Sequence, residues 1–190
     1  MDAAPYRTVS GTDFPQRCSV SWIFELPFGP GRPFPRSLPR PIAAVVGGWQ
    51  AEGLYIYQSG APLGFDNIGF SGNIDDIPLP SSARTADHWF NTEAGFIRDS
   101  SQALAFNVRT FPLRFDGIRG PAMNNWDVSV LKNSRMSDKV TLQMRAEFLN
   151  AMNRVWLGNP NTNPTSSLFG SITSEQGYMR RVQLGVKLAF

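Results

Sequence analysis

The sequence predicts an all-β fold in which about five strands form an antiparallel meander. Three observations lead to this prediction. Several segments of roughly ten residues alternate apolar and polar side chains with a period of two, which is typical of strands. A short polar connector joins two of these segments, and the longest apolar stretch, 42–49, is much shorter than the ~18 residues that a membrane-spanning helix needs. The predicted strands cover residues 17–27, 48–58, 124–133, 139–150 and 180–190.

The first two predicted strands each gather apolar side chains on one face. In 17–27 the apolar face consists of Val20, Trp22, Phe24 and Leu26. In 48–58 it consists of Trp49, Ala51, Gly53, Tyr55 and Tyr57. Leu54 and Ile56 weaken the alternation on the opposite face of this second strand. The connection 27–48 is rich in proline, which cannot continue a regular strand, so we expect a turn of about twenty residues there.

The last three predicted strands show the clearest alternation. The connector Asn133–Asp138 is short and polar, so 124–133 and 139–150 are predicted to form a hairpin. The apolar face of 139–150 consists of Val140, Leu142, Met144, Ala146 and Phe148. The apolar face of the last strand consists of Val182, Leu184, Val186, Leu188 and Phe190.

The connections between the strands are very unequal in length. Two long loops, 59–123 and 151–178, contrast with the short turn near 135, and we predict no regular structure within them. Long loops without structure argue against an ordinary compact domain, whereas outer-membrane barrels combine long extracellular loops with short periplasmic turns. Four loop aromatics are candidate substrate contacts, although packing within the loop is the preferred interpretation: Trp89, Phe90, Phe96 and Phe106.

The contents of the two strand faces favour lipid on one side. Aromatic residues stand near the ends of the apolar faces, where membrane–water interfaces would lie, namely Trp49, Tyr57, Trp126 and Phe148. The opposite faces carry polar side chains suited to a wet lumen, namely Gln143, Arg145, Glu147, Gln183 and Lys187. We therefore predict an open segment of a large transmembrane β-barrel. A soluble sandwich stays open as an alternative, but it would need turn signals every ~8–12 residues.

Composition excludes several other classes of function. The net charge is +3 with the basic residues spread along the chain, so we expect no nucleic-acid partner. With a single cysteine, Cys18, and a single histidine, His88, we expect neither an internal disulfide nor a transition-metal cluster. Asp75 and Asp76 are interpreted as solvated loop charges, and we predict no catalysis and no cofactor. Residues 1–6 do not resemble a secretory signal, so we expect the natural start to lie upstream.

An ordered set of motifs resembles a known family over most of the chain. The motifs are Gly47-Gly48-Trp49-Gln50, Tyr55-Ile56-Tyr57-Gln58-Ser59-Gly60, Trp89-Phe90-Asn91-Thr92, Arg119-Gly120-Pro121, Asn125-Trp126-Asp127-Val128-Ser129, Arg145-Ala146-Glu147-Phe148-Leu149-Asn150-Ala151, Gly158-Asn159-Pro160-Asn161, Phe169-Gly170-Ser171-Ile172-Thr173 and the closing 183–190. Together they resemble the C-terminal region of TonB-dependent outer-membrane transporters, in particular the Oar-like barrels with a carboxypeptidase-regulatory-like domain.

The resemblance implies a function, partners and a location. It implies energy-coupled solute uptake across the bacterial outer membrane through a ~22-stranded, plugged barrel. The implied partners are outer-membrane lipid, the rest of the barrel and its plug, and TonB through a part absent here. The closing residues Val182, Leu184, Val186, Leu188 and Phe190 resemble the signal read by the barrel-assembly machinery. An outer-membrane adhesin or structural barrel without a plug stays open, as does a soluble carbohydrate-binding sandwich.

Overall fold

The computed structural model describes residues 7–28, 39–102 and 109–190, which form two compact units. The sheet unit comprises Cys18–Tyr57, Asn124–Val155 and Tyr178–Phe190. The loop unit comprises Met1–Arg17, Gln58–Met123 and Trp156–Gly177. In chain order the described residues form β1 (Arg17–Glu25), α1 (Arg40–Val46), β2 (Trp49–Gln58), β3 (Pro62–Gly64), β4 (Arg114–Arg119), β5 (Met123–Arg135), β6 (Thr141–Leu149), β7 (Trp156–Leu157), β8 (Glu175–Gln176) and β9 (Arg181–Ala189).

Five strands form one sheet in the order β1-β2-β5-β6-β9, so the predicted all-β meander is confirmed. The bounds of these strands differ from the predicted ones by at most two residues. The predicted hairpin is present, because β5 and β6 pair antiparallel from Val128 opposite Phe148 to Arg135 opposite Thr141. β9 then pairs antiparallel with β6. We call the end of the sheet with residues 136–140 the short-turn end, and the opposite end the long-loop end.

The helix α1 lies in the proline-rich connection between β1 and β2. Pro41 stands in its first turn, where proline lacks only an N–H that would be unpaired anyway. Gly47 follows the last helical residue, and its N–H donates to Ala43 O at 3.0 Å. The prolines of this connection predicted only a turn. No helix among residues 7–28, 39–102 and 109–190 combines the length and the apolar character needed to cross a membrane.

The loop unit has a hydrophobic core of its own, which corrects the expectation of loops without structure. Two short antiparallel ribbons, β3–β4 and β7–β8, and three single 3-10 turns provide its regular elements within the described residues. Phe65 lies near the centre, with its ring centroid 5.0 Å from that of Phe111 and 5.9 Å from that of Phe96. The buried core residues are Leu63, Phe65, Ile68, Ile77, Phe90, Phe96, Phe111, Ile118 and Phe169.

Close backbone packing in the loop unit depends on two glycines. Ser71 N donates to Gly95 O at 3.0 Å, which joins two strand-like segments of the unit. A Cβ at Gly72 would lie 1.6 Å from Ala94 O, so no other residue fits at that position without a backbone shift. Gly95 has φ +116°, a conformation that L side chains rarely adopt. The sequence therefore places glycine where two backbones meet.

Candidate functional site

The predicted apolar positions of β6 and β9 share one face of the sheet. Directly opposite residues of an antiparallel pair project to the same side. The facing pairs are Leu142 with Leu188, Met144 with Val186, Ala146 with Leu184 and Phe148 with Val182. The four β9 residues of this set are 55 to 81% exposed. No part of the described chain therefore covers this apolar face at β9, and a row of bare aliphatic side chains needs an apolar medium.

Aromatic side chains stand near both ends of this apolar face. Trp126 and Phe148 lie near the long-loop end, because Phe148 pairs with Val128, and the Trp126 ring centroid lies 4.5 Å from that of Tyr55. Trp49 lies at the short-turn end, where Asn133 N donates to the neighbouring Gly48 O at 2.8 Å. The nine residues of β6 span roughly 30 Å at ~3.4 Å per residue. Tilted as in a barrel, this length matches an apolar band about 25 Å tall.

Tyr57 and Phe190 complete the two aromatic ends. Tyr57 is the penultimate residue of β2 and therefore lies at the long-loop end. Phe190 follows Ala189, which pairs with Thr141 at the short-turn end. Phe190 is 96% exposed, and thus free to contact lipid or another protein. The arrangement has the form of the two aromatic girdles of a membrane barrel.

The predicted polar residues of β6 and β9 share the opposite face. Gln143 pairs with Lys187, and Glu147 pairs with Gln183. Arg145 forms an ion pair with Glu147 at 3.0 Å along the same strand. Adjacent to them, Gln143 Nε2 donates to Asn133 Oδ1 at 2.9 Å. The sheet thus presents one apolar and one hydrogen-bonded polar surface.

Lys132 interrupts the apolar face and was not among the predicted site residues. It pairs with Met144, so its side chain leaves the sheet on the apolar side, yet it is only 5% exposed. Its ammonium group donates to Ala44 O at 2.7 Å and to Gly47 O, both at the C-terminal end of α1. The same group lies 5.4 Å from the ring centroid of Trp49. The alternation of Val128 and Val130 ends at this lysine, which was the available signal.

Asn150, also missed by the sequence analysis, holds the chain together after β6. It is 1% exposed and has φ 50°, a left-handed conformation that asparagine tolerates. Its Nδ2 donates to Arg154 O at 2.9 Å and to Tyr178 O at 3.0 Å, while its Oδ1 accepts from Arg154 N at 2.9 Å. Its own backbone N–H donates to Asp127 Oδ1 at 2.8 Å. Asn150 therefore connects the chain at the ends of β5 and β6 with the approach to β9.

Replacing Asn150 with alanine should lower the free energy of unfolding by about 1–3 kcal/mol, because three partly buried hydrogen bonds from its side chain to Arg154 and Tyr178 are lost. Chemical unfolding of the complete barrel in detergent, followed by tryptophan fluorescence, measures the change. Met152→Ala in the same turn is the matched control, since Met152 is 59% exposed. Equal stability of the two variants would contradict the role of Asn150.

The candidate substrate contacts of the loop unit fall into different settings. Phe90 and Phe96 are 0% and 8% exposed within the core, so neither ring offers a surface to a ligand, and the substrate-contact interpretation of both is corrected. Their packing is what the preferred interpretation expected. Trp89 is half-buried, and its Nε1 donates to Arg119 O at 2.7 Å. Phe106 lies outside the described residues.

Two charged features of the loop unit have structural partners. Arg119 forms an ion pair with Asp13 at 2.6 Å and also donates to Asp13 O at 2.7 Å, which fastens the segment before β1 to β4. Asp75 and Asp76 lie in a 3-10 turn that begins at Asn73, whose side chain accepts from Asp75 N at 3.1 Å. This geometry is that of a local turn.

Comparison with known proteins agrees with the two-faced sheet. The model of the family described as outer membrane beta barrel domain matches residues 2–183, which is nearly the whole chain. Searches of the curated proteins and of the solved structures found no match. An exposed apolar face, an opposite polar face and two aromatic ends are the features that this architecture requires. The chain belongs to the outer membrane beta barrel domain family, and its location is the bacterial outer membrane.

Proposed function

We propose that this chain forms part of the wall of a TonB-dependent transporter of the Oar-like type, which takes up a solute in an energy-coupled manner. The observation that carries the proposal is the polar face of a sheet that stays open within the described residues. About eight strands make the smallest barrels, whose interiors are filled by side chains, whereas wider barrels enclose a polar lumen. Five strands with an exposed polar face are suited to the wall of such a wide lumen.

The two surfaces and two edges of the sheet suggest the partners. Lipid lies against the apolar face, and a plug or water lies against the polar face with Gln143, Arg145, Glu147, Gln183 and Lys187. The remaining barrel strands pair with β1 and β9, because unpaired backbone groups in lipid cost several kcal/mol each. The barrel-assembly machinery reads the apolar residues of β9 together with Phe190. TonB acts through a part of the protein outside this chain, and no chemical step on the solute is involved.

Conductance of the complete protein in a planar lipid bilayer tests the proposed function. A plugged transporter should pass little potassium chloride current until urea loosens the plug, and the current should fall again when urea is removed. An adhesin or structural barrel lacks a plug. Its potassium chloride current should therefore be present before urea is added, or should not change when urea is added. A steady current in the absence of urea would therefore contradict the transporter proposal.

A second measurement tests the energy coupling. Cells without TonB should lose accumulation of the solute to the same extent as cells that lack the complete protein. Accumulation that persists without TonB would contradict energy-coupled uptake, even if the barrel proves to be plugged.

A further inference from the structure

The short helix α1 presents an apolar surface to its surroundings. After Arg40, every residue of the helix, from 41 to 46, is apolar. Ile42 is 47% exposed and Val45 is 67% exposed. An apolar helix surface is normally buried in protein or membrane. Within the described residues, these two side chains are open to the surroundings.

Three carbonyl groups at the C-terminal end of α1 accept hydrogen bonds from side chains of the sheet. Such pairing is expected in a medium without water. A helix leaves its last carbonyls without partners inside the helix, and at a surface in contact with water the solvent satisfies them. In this chain, Lys132 donates to Ala44 O and Gly47 O, and Trp49 Nε1 donates to Val45 O at 2.8 Å. Three carbonyls are therefore satisfied by side chains of the sheet. Hydrocarbon makes such pairing necessary, because it offers no hydrogen bonds.

The position of the helix continues the lipid-facing surface. Lys132 leaves the sheet on the same side as Met144, so α1 lies against the apolar face, which is the lipid side of a membrane barrel. It lies at the short-turn end, which is the periplasmic side of outer-membrane barrels. Trp49 stands at the same end, as expected of an interfacial aromatic residue. Placing the charge of Lys132 in direct contact with lipid would cost free energy. The end of α1 covers the ammonium group and supplies carbonyl partners to it.

We propose that α1 lies in the phospholipid leaflet on the periplasmic side of the outer membrane, with Ile42 and Val45 among the upper acyl chains. The helix thereby forms an interfacial anchor on the outside of the barrel wall. Lys132 and Trp49 hold its C-terminal end against the sheet. This inference depends on the membrane location of the sheet, and it is independent of what the barrel transports.

Fluorescence quenching in lipid vesicles tests the anchor. The complete barrel protein, with Cys18→Ser, receives a single cysteine by Val45→Cys or Ile42→Cys, labelled with a polarity-sensitive dye and reconstituted into phosphatidylcholine vesicles. Spin-labelled lipids with the label near the head group should quench both dyes more strongly than lipids labelled at the chain end, and iodide should quench little. Leu184→Cys, at mid-strand on the apolar face, should respond most to the chain-end label. Ser137→Cys, in the short turn, should respond to iodide.

The outcomes separate two kinds of failure. Suppose that iodide quenches the dyes at Val45 and Ile42 while spin-labelled lipid quenches the dye at Leu184. This result would overturn the anchor proposal but would still place the sheet in the membrane. Iodide quenching at all three positions would overturn both. In a Lys132→Met background, the Val45 dye should become accessible to iodide, whereas Lys139→Met in the nearby turn should change nothing. An unchanged Val45 signal in Lys132→Met would overturn the role of Lys132 in holding the helix.

Discussion

Replacing Leu184 with arginine should destabilise the assembled barrel by about 2–4 kcal/mol, the cost of a cation on the lipid face near the middle of the bilayer. Leu184 lies mid-strand in β9, pairs with Ala146 and is 81% exposed on the apolar face. Leu184 therefore has little packing within this chain to lose, and we expect the loss to come from the lipid medium. Reversible unfolding in lipid vesicles, followed by tryptophan fluorescence, measures it.

The neighbouring residue supplies the matched control. Gln183 lies next to Leu184 but projects to the polar face, where it pairs with Glu147. Gln183→Arg should change the free energy of unfolding by less than about 1 kcal/mol, because lumen-side charges are tolerated and Glu147 has the opposite sign. If Gln183→Arg is the more damaging of the two, the assignment of the faces is reversed.

Replacing Phe90 with alanine should lower the stability of the loop unit by about 3–5 kcal/mol, the usual loss for a large ring removed from a core. Phe90 is completely buried, and its ring centroid lies 5.2 Å from that of Phe169 and 5.9 Å from that of Phe65. The cavity left by the ring would remove contacts with both. Amide hydrogen exchange of the complete protein, resolved to peptides from 58–123, measures the local change.

Leu168→Ala is the control for the Phe90 experiment. Leu168 precedes Phe169 in the chain but is 50% exposed, so its truncation should cost well below about 1 kcal/mol. Equal exchange in Phe90→Ala and in the unsubstituted protein would show that the aromatic cluster does not stabilise the loop unit.

The large strands were predictable because one physical constraint acts on them residue by residue. A strand between lipid and a polar lumen must alternate; Leu142 to Phe148 do so without exception, and Val182 to Leu188 do so except at Gly185. The pairing that places these residues opposite one another follows from the short turn at 136–140 and the common apolar face. Local pattern and tertiary structure therefore agree.

The loop unit and α1 escaped prediction for a different reason. Leu63, Phe111 and Phe169 meet in one core although they are far apart in the sequence, and strands of two to six residues are too short to show a period. In α1, the prolines were interpreted only as excluding a strand. A proline at the start of an apolar run and a glycine after it also predict a short helix.

Lys132 shows where pattern reasoning fails at a single position. The alternation of β5 places Lys132 on the lipid face. Without partners, its charge would be unfavourable there. Its partners are backbone carbonyls of Ala44 and Gly47, and every sequence has backbone carbonyls. No side-chain motif marks such a partner, so only the fold reveals it.

The number of strands in the sheet has an arithmetic consequence for any barrel that contains it. With five strands in an up-and-down order, β1 and β9 both run towards the short-turn end. Because these two edge strands run in the same direction, they cannot pair antiparallel with each other. The same holds for β9 of one molecule beside β1 of a second copy in a ring. Single-chain bacterial barrels contain an even number of antiparallel strands. A single-chain barrel that contains this sheet would therefore need an odd number of additional strands.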